Sequence, residues 1–587
     1  MDVPSQEELQ DQLERLQRLA LERHKEALTL PTIASPSALT RGLTELNSSL
    51  PATGLGLNAT TSHLLQEVAP TLAPGHAASR YFGFVTGGVT PSAQIADWFT
   101  TLLDANVQVH LPNETLSTLI EHDTMGMLCE LLGLERQDWT GTFSTGATAS
   151  NVLGLACGRE RTLATAMRER GLEEWSSAEH GAGYDSEDEG PYAPPTHVYV
   201  AQPHASVKKA AALVGIGRAR VVDVGQRVPP GKDLNDPIAL AAVALDFDLA
   251  LLESHLARNK QRKHPSIIVA GLGEVNTGAL TAQLPALRRL CDKYGAWLHV
   301  DAAFSAFVCL LDGHQWISRH LDECADSITS DAHKQLNVPY DCGLFFVRRR
   351  GKERGCGLVA KASGSEEQSV LEDVLGPGRG GGPAYLAAPS ASSGALAEDS
   401  DTASFSLLAE RRAYLASLPS PLHRNIENSR RFRALPVYTT LLCYGREGIT
   451  KMVRRNVDFA RAIEAWMRGS EGREWYEVLT PECGQMDKGK MHEPQPWRGE
   501  WATTVVLFRG RAVEAAELIA RIKATRMLYV SPTSWGGKGA VRLAVSNWRT
   551  GLEDGDGKHV AKVQQSYDYQ VTVQTLLDIV RGDALAQ

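Results

Sequence analysis

Along residues 6–28 the apolar positions Leu9, Leu13, Leu16 and Ala20 recur at spacings of 4, 3 and 4, which aligns them on one face of a helix. Such a face packs either on its own subunit or as a clasp on a partner chain. Between about 120 and 350 the pattern changes to short β-branched runs separated by helical stretches: HVYVAQP (197–203), ARVVDVG (219–225), SIIVAGLGEV (266–275), AWLHVDAAF (296–304) and CGLFFVRR (342–349). Near-continuous apolar strands alternating with helices predict an α/β unit whose parallel sheet is covered on both faces. After about 430, a long periodic helix is followed by TTVVLF (503–508), RAVEAAELIARIKATR (511–526) and AVRLAVS (540–546). Strand, helix and strand there predict a smaller α+β unit. An acidic stretch at about 173–195 and a Gly/Ser/Ala-rich stretch at about 354–404 break the regularity and read as long surface insertions. The expected division is an N-terminal helical segment and arm (1–110), a large α/β domain (111–435) and a small C-terminal domain (436–587).

Composition narrows the class. The 587 residues are 43% hydrophobic and 22% charged, with a mean hydropathy of -0.21, proportions of a soluble globular protein and not of a polytopic membrane protein. Against 60 basic residues stand 69 acidic ones, a formal net charge of -9, so no broad basic surface suggests nucleic acid as a partner. Nine scattered cysteines without a C-x-x-C pair argue against a disulfide framework or zinc knuckle. The N-terminus is acidic and amide-rich where a signal peptide is basic then apolar, so a cytoplasmic protein is expected. GLGEVNTG (271–278) lacks the G-x-G-x-x-G spacing, Gly231-Lys232 is followed by Asp233, and no H-E-x-x-H occurs. Dinucleotide, P-loop and catalytic-metal chemistry are therefore not expected.

The informative segment is DSITSDAHKQLNVPYDCGLFFVRR (326–349), where Lys334 precedes an apolar strand. A lone lysine at such a junction is ordinarily a solvated cation. Asp301, however, ends the strand WLHV, at the carboxyl edge where open α/β sheets bind ligands; its structural alternative is a helix N-cap. A lysine amine able to form a Schiff base, with a carboxylate to hold a pyridine nitrogen protonated, is the pairing that pyridoxal 5′-phosphate (PLP) requires. FSTGATASNVLGLACGRE (143–160) puts small residues and glycine before an amphipathic helix, where backbone N–H groups and the helix dipole can meet a phosphate. An ordinary tight turn would look the same.

S-T-G-A-T-A-S-N, P-H-A-S-V-K-K-A, H-V-D-A-A-F, D-A-H-K and N-S-R-R-F-R-A-L-P resemble, in the same order, motifs of the group II PLP-dependent amino-acid decarboxylases, such as the glutamate and aromatic-L-amino-acid decarboxylases. The resemblance spans roughly residues 80–550 apart from the insertions. It implies the aspartate aminotransferase-like fold type I of PLP-dependent transferases, with a mostly parallel seven-stranded sheet in the large domain, and a homodimer with its active site at the subunit interface. It also implies residue roles. Lys334 would carry the cofactor and His333 would face the phosphate; Asp301 would pair with the pyridine nitrogen. Ala303 would pack on the ring, and His204 would stack over its other face. Gly146, Ala147 and Thr148 match the phosphate turn, Thr277 a threonine near the cofactor's 3′-oxygen, and Asp331 a position where many relatives carry Asn. Arg542 resembles an arginine that holds a substrate carboxylate, and the arm within 1–110 would line the substrate pocket with Tyr81, Phe82 and Phe84 as candidate walls, although aromatic residues near a strand commonly belong to the core.

In animal relatives a loop tyrosine about nine residues before R-R-F protonates the carbon that loses CO₂. Here that place falls near Pro421 and Leu422. Tyr414 and His423 are the candidate substitutes, each with the alternative of an exposed lid residue. The expected activity is decarboxylation of an L-amino acid to its amine. The alternatives are aldehyde formation by decarboxylation with oxidative deamination, another carbon–carbon lyase, or a catalytically silent scaffold of the same fold.

Overall fold

The computed structural model describes residues 4–72, 77–173, 175–181, 193–228, 233, 235–349, 351–352, 369–377, 402–480 and 504–582. Most of both expected insertions, at 182–192, 353–368 and 378–401, lies outside the described residues. The large sheet contains β1 (Trp139–Ser144), β2 (His197–Val200), β3 (Val221–Asp223), β4 (Ser266–Gly271), β5 (Trp297–Asp301), β6 (Ser327–Asp331) and β7 (Gly343–Arg348). Their order is β1-β7-β6-β5-β4-β2-β3, and every pairing from β6 to β3 is parallel.

The reason for this sheet lies in its side chains. Alternate residues serve opposite faces: Ile268, Ala270, Leu298, Val300 and Phe346 join one buried cluster, and Ile267, Val269, Trp297, Phe345 and Val347 the other. The helix Ala147–Arg168 covers the second face with Leu153, Leu155 and Cys157. β7 runs antiparallel to both neighbours, a correction to the parallel reading of CGLFFVRR. Only residues 332–342 separate it from β6, fewer than the dozen or so that a parallel crossover needs.

A four-stranded antiparallel sheet, ordered β10-β11-β9-β8, is built from β8 (Tyr476–Val478), β9 (Val505–Gly510), β10 (Ser531–Trp535) and β11 (Lys538–Ala544). The helix Ala434–Arg468 joins the two units. Its Ile449, Val453 and Val457 enter the large core, whereas Phe459, Ile463 and Met467 enter the small one. It kinks at Gly445, where φ is 56°, a left-handed conformation that glycine adopts without a Cβ penalty.

The N-terminal helix forms over Gln6–Lys25, opened by a Ser5/Glu8 capping box. Its apolar stripe does not face its own chain: Leu9, Leu13 and Leu16 are 46%, 58% and 49% exposed, while Gln12 is buried. Arg15 on its polar side instead reaches Asn58 and Ser62. None of the described helices is long and apolar enough to cross a membrane.

The segment after this helix is pinned to the C-terminal region by a buried ion pair. Arg80 Nη1 donates to Asp568 Oδ1 at 3.0 Å with both side chains fully buried, and Ser79 Oγ and the Gly551 N–H also donate to that carboxylate. Asp568→Ala would leave the Arg80 cation buried without its counter-charge. The expected cost is about 3–5 kcal/mol of stability, measurable by denaturant unfolding.

Candidate active site

The carboxyl ends of β4, β5 and β6 lie level, with Asp301 paired to Gly271 on one side and Thr329 on the other. They open into a cavity of about 950 Å³, a volume suited to a cofactor plus a small substrate. Lys334 and Asp301 both line it, together with the turn Thr145–Ala149, His204, Ala303, Asp331 and His333. Nine of the residues singled out from sequence are thus brought together: Gly146, Ala147, Thr148, His204, Asp301, Ala303, Asp331, His333 and Lys334.

Lys334 stands on the one-turn helix Ala332–Gln335 that follows β6, and its Nζ lies 2.8 Å from Asp331 Oδ2. His333 faces the same carboxylate at 3.6 Å, and its Nδ1 accepts from the Cys342 N–H. Burial pushes the His333 imidazole below its ordinary range. Across the cavity the helix Ala147–Arg168 begins at Gly146 without a side-chain cap. The turn can sit this close to β7 because position 343 is glycine: a Cβ there would lie 2.5 Å from Gly146 Cα. His204 caps the helix Ala205–Leu213 and is fixed by Ser206, whose hydroxyl lies 2.7 Å from its Nδ1.

Asp301 is aimed by a chain of buried groups that the sequence reading did not single out. Trp297 Nε1 donates to Ser327 Oγ at 3.0 Å, and that hydroxyl lies 2.8 Å from His299 Nδ1. Burial pushes the His299 imidazole down to about 4, so it is neutral at pH 7 and carries one ring proton. With Ser327 donating to Nδ1, that proton is on Nε2, 2.9 Å from Asn151 Oδ1. The Asn151 amide is thereby oriented so that its Nδ2 donates to Asp301 Oδ2 at 2.8 Å, and the same Nδ2 reaches Ser206 Oγ at 3.2 Å. The Ala303 N–H donates to the other oxygen, Oδ1, at 3.2 Å. Gly154 leaves the space for the ring, since a Cβ there would lie 2.3 Å from His299 Cε1. A signal existed: Trp297, His299 and Asp301 alternate along one strand face, and Asn151 lies one helical turn beyond Ala147.

An amine able to form a Schiff base, a carboxylate held by neutral donors and an uncapped helix start around one cavity form a donor set that fits PLP. Lys334, Asp301 and the turn after β1 are the parts that would hold it.

Other expectations end elsewhere in the molecule. Thr277 is fully buried and does not line the cavity; its N–H and hydroxyl donate to Glu274 at 2.6 and 2.7 Å. Tyr81 is stacked on Tyr529 with centroids 4.4 Å apart. Phe82 belongs to the core of the small unit against Phe459, because its N–H and carbonyl bond Tyr529 and Ala544 and turn its ring inward. Phe84 is 59% exposed, and it is its neighbour Val85 that lines the cavity. Arg542 lies behind the wall: it donates to the Val275 and Phe84 carbonyls at 2.5 Å each, its Nη2 has no hydrogen-bond partner among the described residues, and burial pushes it down to about 10. Tyr414 and His423 do not line the cavity of their own chain; the Tyr414 hydroxyl lies 2.8 Å from His122 Nδ1. A residue missed from sequence, Tyr340, does line it.

Residues 46–362 match the pyridoxal-dependent decarboxylase conserved domain. An L-2,4-diaminobutyrate decarboxylase of Acinetobacter baumannii is 23% identical over 337 residues, 57% of this chain and 52% of that protein. The chain thus spans about half the length of the curated relative that it matches. Among solved structures, Oryza sativa TDC with PLP and tryptamine superposes with a TM-score of 0.68 at 18% identity, covering 100% of this chain and 99% of that one. Rhodiola rosea 4-hydroxyphenylacetaldehyde synthase gives 0.67 at 14%, covering 98% and 99%. These likenesses establish the fold as that of the fold type I PLP enzymes.

Asn151→Ala removes the donor to Asp301 and the acceptor of His299. It is expected to weaken PLP binding roughly 5- to 150-fold, the equivalent of the about 1–3 kcal/mol lost when a buried group is left unpaired. Gly154→Ala, which displaces the His299 ring, should act in the same direction; equilibrium titration of the apoprotein with PLP measures both.

Proposed function

The chain belongs to the pyridoxal-dependent decarboxylase family, and from that premise we propose that it removes CO₂ from an L-amino acid to give the corresponding amine, with PLP carried on Lys334. The carrying observation is that Lys334 and Asp301 face one cavity whose far wall is the uncapped start of the helix Ala147–Arg168. When bound, the cofactor supplies a protonated pyridine ring that takes up the electron pair released as CO₂ leaves.

The chain's own groups do the rest. Asp301, held by Asn151 and the Ala303 N–H, keeps a proton on the ring nitrogen. Asp331 is the nearest group able to exchange a proton with Lys334 Nζ, at 2.8 Å. His204, fixed through Ser206, would cover one face of the ring and Ala303 the other. Gly146, Ala147, Thr148 and His333 would hold the phosphate, and together these residues would orient the substrate for loss of its carboxylate. Arg542, behind the cavity wall, supports this reading only by fixing the Val275 and Phe84 carbonyls.

We place two copies about a two-fold axis, which the exposed Leu9, Leu13 and Leu16 stripe supports. We infer a cytoplasmic setting, in keeping with the buried thiols of Cys129, Cys157, Cys309 and Cys342. Of the division at residues 110 and 435, the second boundary is supported by the start of the linking helix at Ala434.

The test is a panel of L-amino acids assayed together for amine, CO₂ and hydrogen peroxide. Equal amine and CO₂ are expected; peroxide and aldehyde in excess of amine would reject simple decarboxylation. Lys334→Ala should abolish multiple turnover while keeping PLP non-covalently, as absorbance would show. Asp301→Ala should lower kcat by about 10²–10³-fold. Sedimentation should show a dimer that dissociates when Leu9, Leu13 and Leu16 are replaced together by Ser.

A further inference from the structure

Decarboxylation leaves a carbon that must take up a proton, and a donor has to stand at the cavity and keep its proton at neutral pH. Tyr340 is the one phenol among the described residues lining the cavity. It follows Lys334 by one short loop whose ends are fastened: Asn337 receives the Trp548 N–H on its Oδ1 at 2.8 Å, and Asp341 is held by Arg433 at 2.9 Å. The Tyr340 ring packs on His333 with centroids 4.3 Å apart. The Thr86 side chain stands beside its hydroxyl. Thr86 is itself fixed, because Ser546 Oγ donates to its carbonyl at 2.7 Å. The next residue, Gly87, lies so close that a Cβ on it would stand 2.1 Å from the Lys334 carbonyl oxygen.

Resting on the decarboxylase reading, we propose that Tyr340 is the catalytic acid that protonates the carbon from which CO₂ has departed, with Thr86 as its positioning residue. The Cα–carboxylate bond breaks and its electron pair stays with the carbon side. The Tyr340 O–H bond then breaks as the new C–H bond forms, and water returns a proton to the phenolate. The residue is 57% exposed at the cavity mouth, so that return path is open.

Competing donors are otherwise engaged. Lys334 is paired with Asp331, and His204 Nδ1 is held by Ser206. His333 accepts from the Cys342 N–H, and burial favours its neutral form. Partial desolvation at the cavity, ahead of the nearby Asp331 charge, pushes the Tyr340 phenol upward, so it carries its proton at pH 7. The Thr86 side chain works in the opposite direction, by stabilising the phenolate formed after transfer.

The experiment compares native holoenzyme with Tyr340→Phe. PLP affinity and KM should stay within about twofold, whereas kcat for amine should fall about 10²–10⁴-fold, the range for losing a general acid. In a single turnover, CO₂ should appear ahead of amine, a separation that a purely structural role would not produce. Amine formed within threefold of the native rate would overturn the proposal. So would a tenfold loss of PLP affinity, which would assign the phenol to the cofactor's cradle. If Tyr340→Phe does not fold, Thr86→Val carries the test: amine formation about fivefold slower is expected from loss of the polar group beside the phenolate, and an unchanged rate overturns the assignment. A native enzyme that releases no CO₂ removes both readings, while active native enzyme with fully active Tyr340→Phe removes only this one.

Discussion

A carboxylate that must point at one atom of a ligand needs its other lone pairs held by groups that cannot turn. In this protein Asp301 at the end of β5 is held in that way, from the buried side of the sheet. Trp297, Ser327, His299 and Asn151 form one directed sequence of hydrogen bonds. Each donor fixes the next acceptor, so the Asn151 amide has a single orientation. Because His299 is buried and neutral, the chain delivers direction without placing a second charge beside the aspartate. The same amide touches Ser206, which holds His204, so the group beneath the cavity and the group over it share one anchor.

The architecture serves that anchor. Parallel strands bring β4, β5 and β6 to a common edge, and the helix after β1 crosses behind them to supply both Asn151 and the uncapped turn at Gly146. Two glycines make the approach possible, Gly343 against the turn and Gly154 against His299. The small unit anchors the arm on the remaining side. Residues 79–90 are fastened to it through Arg80 and Asp568, Phe82 and Ser546, and this arm sets Val85 and Thr86 beside the loop that bears Tyr340. Arg542 holds the arm and the β4 loop together through two backbone carbonyls, a task that burial imposes on a cation with no carboxylate bonded to it.

The fold was legible where chemistry and burial coincide in apolar residues. The runs containing β2, β4, β5 and β7 stand out because both of their faces are buried. β1 and β6 do not, since WTGTFS and SITSD are largely polar although nearly all of their residues are buried. Their hydroxyls are satisfied by distant partners: Thr142 by Asn425 and Ser327 by Trp297. No local pattern reveals such pairs. The N-terminal helix shows the converse: its period was legible, but the sense in which it packs was not, because its leucines face away from its own chain.

By itself, the sequence determined which groups are chemically able to act: a lysine after β6, an aspartate ending β5, a small-residue turn before a helix, and the strands that carry them, because these properties are local. Tertiary structure alone decided which of them meet. It gathered Lys334, Asp301, His204 and Gly146 around one cavity, and withdrew Thr277, Phe82 and Arg542 into hydrogen bonds and core contacts of their own. It also brought Tyr340 to Thr86 across more than 250 residues of chain. Convergence of that kind depends on where a helix crosses and which glycine yields space, and those are properties of the packed molecule rather than of any segment.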